Sequence, residues 1–260
     1  MQAVNQLTID KVFTVLLTGY KGFIGGHLTS FLTSNGYNVV GVDRVDGNEV
    51  SSLTEEDIYG VDYVVHLAAQ TSVWNKNYEQ IINDNIISFM HIFDICKKLG
   101  KKFIYASSSC SINVTSAYGF SKMFDDIYAK GYGVGLRFHN VYGRESREDT
   151  LLGICLNNSE ITLYNNGLNY RHFTYIDDVC KCIEKSFNLP DGLYNVVNPV
   201  ENSVSEFVEE FLKYKKIKVI KTENKREADK VRQKIDDTHI NLIDNPTSIE
   251  QGLALVFREN

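Results

Sequence analysis

Proline and tryptophan are scarce, with three and one in 260 residues, and no low-complexity linker or internal repeat interrupts the chain. That excludes parts joined by a stiff or floppy tether, so any lobes pack directly against one another. Basic charge is short as well. Twenty-seven Lys and Arg stand against 33 Asp and Glu, giving a net charge of -6 and a pI near 5.6. No basic run concentrates what there is, which excludes a nucleic-acid surface and leaves any anionic ligand to a few placed arginines. No stretch is both apolar and long enough to cross a bilayer, and Met1 to Asp10 lack a basic segment leading into an apolar one. No membrane association and a cytoplasmic location are expected. The five cysteines, Cys96, Cys110, Cys155, Cys180 and Cys182, are odd in number and lack the paired short spacing of a zinc site. They are expected to be free thiols in a reducing compartment, with no metal site.

What the chain does have is core and alternation. At 43% hydrophobic it can bury a substantial interior. Val12 to Leu17 is a β-branched and apolar run that breaks at Thr18-Gly19, and Phe23 to Leu32 carries helical spacing up to Asn35-Gly36. Tyr37 to Val42, Val61 to Leu67, Lys102 to Ala106 and Gly133 to Phe138 read as further strands. Ile81 to Leu99 reads as one long helix and Tyr118 to Lys130 as another. This order predicts an α/β fold with a doubly wound parallel sheet. Beyond Tyr142 the signals shorten: strands are expected at Ile161 to Tyr164, Tyr194 to Val197 and Lys216 to Ile220, and a helix at Val204 to Tyr214. The reading is a Rossmann-type domain over residues 1–143, with segments returning within 171–200, and a smaller C-terminal substrate-binding lobe over 144–260.

The run Gly19-Tyr20-Lys21-Gly22-Phe23-Ile24-Gly25 sets glycines three apart between the first strand and first helix. There the backbone must turn tightly and approach a pyrophosphate, which the helix N-terminus then faces. A strand-to-helix turn uses glycine anyway, so the pattern gains force from Asp43, a carboxylate at the end of the second strand about 20 residues on. It can accept from a ribose diol and repels a 2′-phosphate, favouring NAD over NADP. Arg44 beside it leaves room for the other.

The stretch Asp62-Tyr63-Val64-Val65-His66-Leu67-Ala68-Ala69-Gln70, taken with the glycine run, resembles the extended short-chain dehydrogenase/reductase family, the nucleotide-sugar epimerases and dehydratases. The resemblance continues in order through Tyr105 to Ser109, Tyr118-Gly119-Phe120-Ser121-Lys122, Arg137 to Gly143, Arg171 to Asp178, and Arg226-Glu227-Ala228-Asp229 to Gln233-Lys234. It implies NAD contacts from Gly19, Gly22, Phe23, Ile24, Gly25 and Asp43, then from Leu67, Ala68, Ala69, Asn85, Tyr118 and Lys122. It implies a catalytic group of Ser108, Tyr118 and Lys122, a nucleotide-sugar substrate met by Ser108, Asn140, Arg171 and Arg226, and a homodimer formed through the helices at Ile81 to Leu99 and Tyr118 to Lys130.

The chemistry agrees with these positions. Tyr118 and Lys122 stand four apart at a helix start, so they share a face, and an ammonium near a phenol favours the phenolate. The ordinary phenol pKa of roughly 10 is too high for a base near neutrality, so Lys122 and the positive nicotinamide ring would have to lower it. A Tyr-x-x-x-Lys pair is also a common surface pair; the serine-rich strand end upstream argues against that here. The resemblance implies hydride removal from a sugar carbon while Tyr118 takes the hydroxyl proton, giving a transient keto-sugar. The family's dehydratases follow the catalytic hydroxyl residue with carboxylates; this chain has Ser109 and Cys110. An epimerase like the UDP-sugar 4-epimerases is therefore expected, with a dehydratase, a reductase and an NAD-binding protein without turnover as alternatives. Cys110 matches a cysteine of GDP-fucose synthases, but no histidine follows between Arg144 and Asn169, so a buried filler is preferred. Three departures bear on substrate: a short interval from Ser108 to Tyr118, His172 where the family carries Asp, and no acidic residue at Ser51-Ser52-Leu53.

Overall fold

Continuous apolar runs in the first half of the chain form strands buried on both faces, as a parallel sheet covered by helices requires. In the computed structural model, which describes residues 11–226 and 230–258, β1 (Thr14–Thr18) leads to α1 (Phe23–Ser34), β2 (Asn38–Val42), α2 (Glu55–Tyr59) and β3 (Tyr63–His66). Next, α3 (Tyr78–Ile81) passes through a π-helical stretch, Ile82–Ile87, into α4 (Ser88–Lys98), followed by β4 (Lys102–Ser108), α5 (Ala117–Tyr128) and β5 (Val134–Phe138). The single helix expected over Ile81 to Leu99 is thus corrected: it starts at Tyr78 and widens by a π insertion, a local irregularity that apolar periodicity does not encode.

The second half runs β6 (Val141–Tyr142), α6 (Leu151–Asn157), β7 (Glu160–Leu163), β8 (Tyr170–Arg171), β9 (Thr174–Tyr175), α7 (Ile176–Ser186) and β10 (Gly192–Val196). It closes with β11 (Asn202–Ser203), α8 (Val204–Phe211), β12 (Lys218–Lys221) and α9 (Ile249–Phe257). Six strands form one all-parallel sheet in the order β10-β5-β4-β3-β1-β2, and short pairs β7–β12, β8–β11 and β6–β9 build the rest. Strand order reverses between β1 and β3. At such a reversal the connections leave in opposite directions, opening a crevice beyond the strands' carboxyl ends.

The core lies on both faces of this sheet. Leu28 and Leu32 of α1, Val179 and Ile183 of α7, and Phe207 and Phe211 of α8 belong to one cluster, all inaccessible to solvent or nearly so. Phe89, Ile92 and Phe93 of α4 pack with Phe103 and Tyr105 of β4 in the other. Each such side chain contributes roughly 1.5–3 kcal/mol by burial. Cys96, Cys155, Cys180 and Cys182 are part of these clusters, and burial pushes their thiols up to about 12, so they stay protonated. Among the described residues no helix is long and apolar enough to cross a membrane, and no group of side chains could hold a metal ion.

Candidate active site

The turn after β1 is shaped by what a side chain would strike. Gly19 has φ +71°, and a Cβ there would lie 2.8 Å from Ala68 N; at Gly25 a Cβ would lie 2.0 Å from Gly19 O. Gly22 caps α1 with no side-chain acceptor, so the leading N–H groups of the helix are left for an anion. Asp43 stands at the end of β2, where its carboxylate accepts from the Lys21 and Val45 N–H groups, each at 3.1 Å. Arg44 donates to Asp84 at 2.9 Å and Glu49 at 3.4 Å, so its charge is already countered. Across the crevice, Ala68 N–H donates to Thr18 Oγ1 at 3.3 Å, and Thr18 in turn bonds His66 Nδ1 at 2.8 Å. Burial, helped by the nearby Lys122 charge, pulls His66 down to about 3, which keeps it neutral. The cradle that added Cβ atoms would fill, the uncapped helix end and the fixed carboxylate together fit a dinucleotide with a ribose diol.

Asn85 sits apart from the other residues named from the sequence. It is carried into the core by the π stretch and does not line the cavity. Its amide accepts from Gln70 N–H at 2.7 Å and donates to Gln70 O at 2.9 Å and to Ser121 Oγ at 3.0 Å. It clips the loop after β3 to α5.

The expected chemical group comes together where β4 ends and α5 begins. Ser108 is buried and turns the chain by accepting from Cys110 N–H at 3.1 Å. Ser116 caps α5, its hydroxyl accepting from Gly119 N–H at 3.0 Å. A Cβ at Gly119 would lie 2.8 Å from Cys110 O, so glycine is what lets α5 close on the strand end and bring Tyr118 to Ser108. Lys122 is 2% exposed, with Nζ 3.0 Å from Asp125 Oδ2. Burial raises the Tyr118 phenol; the Lys122 ammonium, the Ser108 hydroxyl and Arg147 pull it back without cancelling that rise. The expected lowering by Lys122 is present, but in the protein alone desolvation wins.

The opposite wall comes from the second half. Asn140, held at φ +33°, hydrogen-bonds Gln233 Oε1. Arg171 on β8 donates to Tyr170 O at 2.7 Å and Lys230 O at 2.8 Å, and the Arg226 guanidinium stacks 4.3 Å over the Tyr164 ring. Glu227, Ala228 and Asp229 lie outside the described residues. His172, replacing the family's Asp, bonds Asn198 O at 3.0 Å and meets His139 edge to face at 5.8 Å. His139 has no hydrogen-bond partner among the described residues on either ring nitrogen, and burial with the neighbouring His172 and Arg137 pulls it down to about 3.

A cavity of about 910 Å³ joins the two walls, and every site residue named from the sequence except Asn85 lines it. Its size suits a cofactor with a substrate. The sequence reading missed Arg147, which reaches across to Thr71 and pairs with Asp149 at 2.9 Å, and Trp74 in the loop after β3; both line the cavity. Arg147 lies four residues past Gly143, and that short spacing from the Asn140 block is the signal that could have found it.

Comparison with known proteins places this geometry. The model of the NAD dependent epimerase/dehydratase family matches residues 15–197. Protein CapI of Staphylococcus aureus is 29% identical, over 68% of this chain and 70% of its own. A putative UDP-glucose 4-epimerase of Methanocaldococcus jannaschii is 26% identical, over 74% of this chain and 79% of its own. Among solved structures, MoeE5 in complex with UDP-glucose and NAD superposes with a TM-score of 0.81 at 23% identity, covering 94% of this chain and 97% of that one. UDP-N-acetylglucosamine 4-epimerase from Methanobrevibacter ruminantium M1 gives 0.80 at 21% identity, covering 94% and 98%.

Proposed function

The chain belongs to the NAD dependent epimerase/dehydratase family and is an NAD-dependent enzyme, and from that premise we propose that it is a nucleotide-sugar 4-epimerase with Tyr118 as its base. The observation that carries the reading is the Ser108, Tyr118 and Lys122 group followed, at the strand end, by Ser109 and Cys110. No carboxylate follows Ser108 to drive elimination of water from a keto-sugar. NAD, when bound, supplies the hydride acceptor and then the donor. Ser108 holds the reacting sugar oxygen, Tyr118 takes its proton and later returns it, and Lys122 keeps the phenolate accessible to the reaction. Arg171 and Arg226 hold the nucleotide's diphosphate, a task for fixed, planar donors, and Asn140 orients the same end.

Residues 11–143 with the returning β10 form the cofactor half, and the remainder forms the substrate half. Exposed apolar residues on α3 and its π extension (Tyr78, Ile82, Ile87) and on α5 (Phe120, Ile127) support the homodimer through these helices. The free thiols support a cytoplasmic location. Arg147 favours one refinement of the substrate. Its guanidinium lines the same cavity as Tyr118 and pairs with Asp149, a carboxylate partner that a uronic acid could replace; UDP-glucuronate 4-epimerases of Arabidopsis thaliana are among the relatives.

The test is incubation with NAD and a panel of UDP-, GDP- and dTDP-sugars, UDP-glucuronate included, with products followed by chromatography. Isomeric product without net NADH, with kcat reduced about 10²–10⁴-fold in Tyr118→Phe, is expected. Loss of one water would make it a dehydratase. Cofactor binding with no turnover on any sugar would make it a binding protein.

A further inference from the structure

Two adjacent carboxylates follow Lys122 on α5, and the structure divides their tasks. Asp126 is committed elsewhere: its Oδ2 accepts from Arg137 Nε and Nη2, both at 3.1 Å, and from Ser111 Oγ at 2.9 Å. Asp125 turns the other way, with 0% exposure and Oδ2 3.0 Å from Lys122 Nζ, while its Oδ1 has no partner among the described residues. Tyr118, Lys122 and Asp125 stand at i, i+4 and i+7, one stripe of a helix. Both members of the ion pair are shut from water, about one and two turns along the helix from Tyr118.

A buried ammonium gains nothing from solvent and survives only against a counter-charge. The groups facing this pair are Asp126 on the same helix, Tyr118 at its start, His66 on β3 and Tyr105 on β4. His66 is neutral and Tyr105 stays protonated, because burial raises it. Asp126 is bound to Arg137, which leaves Asp125 as the charge that answers the ammonium.

Resting on the reading of Tyr118 as the base, we propose that Asp125 is a positioning residue: it holds Lys122 charged while buried, and through Lys122 it sets the ionisation of Tyr118. Burial alone would lower Lys122; the Asp125 carboxylate, the largest of the opposing influences, acts with Tyr118 and Asp126 to raise the ammonium above the ordinary lysine range. Asp125 is itself raised, to about 6, chiefly by burial, with Lys122 pulling the other way.

The experiment reads Lys122 directly, without substrate. The protein carries lysine labelled with ¹³C at Cε, and the Lys122 signal, identified by its loss in Lys122→Arg, is titrated by NMR. In the unsubstituted protein it should titrate above free lysine; a midpoint below free lysine overturns the proposal with no variant of Asp125 needed. In Asp125→Asn the midpoint should fall by at least about one pH unit, a tenfold loss of proton affinity. Asp125→Glu should restore it, and the alkaline limb of the kcat profile should move with the midpoint. An unmoved Lys122 signal in Asp125→Asn sinks the idea even if turnover drops, since that drop would then be structural. A moved signal in a protein that turns over no sugar leaves the pairing intact and removes the epimerase reading instead.

Discussion

The two walls of the cavity are made in different ways. The wall after β1 is backbone: its glycines are needed because Cβ atoms would strike main-chain atoms, and its anion donors are N–H groups of α1. The wall from the second half is side chain: Arg171 is placed by bonds to the carbonyls of its neighbour Tyr170 and of the distant Lys230, and Arg226 by stacking on Tyr164. A backbone wall tolerates no substitution at its contact points but does not depend on which side chains surround it. A side-chain wall can change one residue at a time.

Gly25→Ala should break the first wall outright. The added methyl meets Gly19 O at 2.0 Å and Tyr20 Cα at 2.7 Å, so main chain must move. A loss of about 3 kcal/mol or more in urea unfolding, with NAD affinity lost by calorimetry, is expected. Arg226→Ala should weaken the second wall without harming the first: KM for the nucleotide sugar rises about tenfold or more, and kcat and NAD affinity hold. An equal fall in kcat would show that Arg226 acts in the transition state instead.

Two buried histidines sharpen the comparison. His66, behind the first wall, bonds Thr18, whereas His139, behind the second, bonds nothing among the described residues. Both are pulled to about 3 when folded, below the ordinary imidazole near 6.5. The unfolded chain therefore binds protons first, and stability present above about pH 6.5 is lost as pH falls toward 3, by up to ~1.4 kcal/mol per pH unit for each ring. Asp125, raised to about 6, works the opposite way between there and the ordinary carboxylate range, and offsets part of the loss. His139→Phe should add about 1 kcal/mol at neutral pH, since it removes two unpaired buried nitrogens, and should flatten the acid limb in thermal melts. A steeper acid limb would mean that His139 is protonated in the fold. The smallest effect is expected at Gly26→Ala, one residue from Gly25: its Cβ meets only Tyr20 O at 3.9 Å, so helix propensity should yield a gain of about 0.5–1 kcal/mol.

This contrast also explains what could be read in advance. The strands β1 to β5 and the glycine turn were legible because local apolar runs and the Gly19-Gly22-Gly25 spacing act within a few residues of themselves. Tyr118 and Lys122 were legible because a helix repeats. The two-residue strands were not, since their pairing partners lie far off in the chain; β8, for instance, is defined by β11, whereas α7 was passed over although Ile176, Val179, Cys180 and Ile183 carry helical spacing. The burial of Asn85 was not legible because a π insertion shifts the side chains on that helix, and Arg147 was missed because its position depends on Thr71 across the cavity. Asp125 was readable from its spacing to Lys122, but the sequence does not say which of the two neighbouring carboxylates Arg137 claims.

The return of β10 to the main sheet has a consequence for cutting and rejoining this protein. β10 pairs along β5, and its Asn195 side chain donates to the carbonyls of Asp236 at 2.8 Å and His239 at 2.9 Å. A gene fragment stopping after β5 would therefore leave an open parallel edge searching for any extended segment, while the complementary fragment would carry a strand with no sheet. The main sheet is one fabric drawn from both halves of the chain, and it can be divided only by supplying both pieces together.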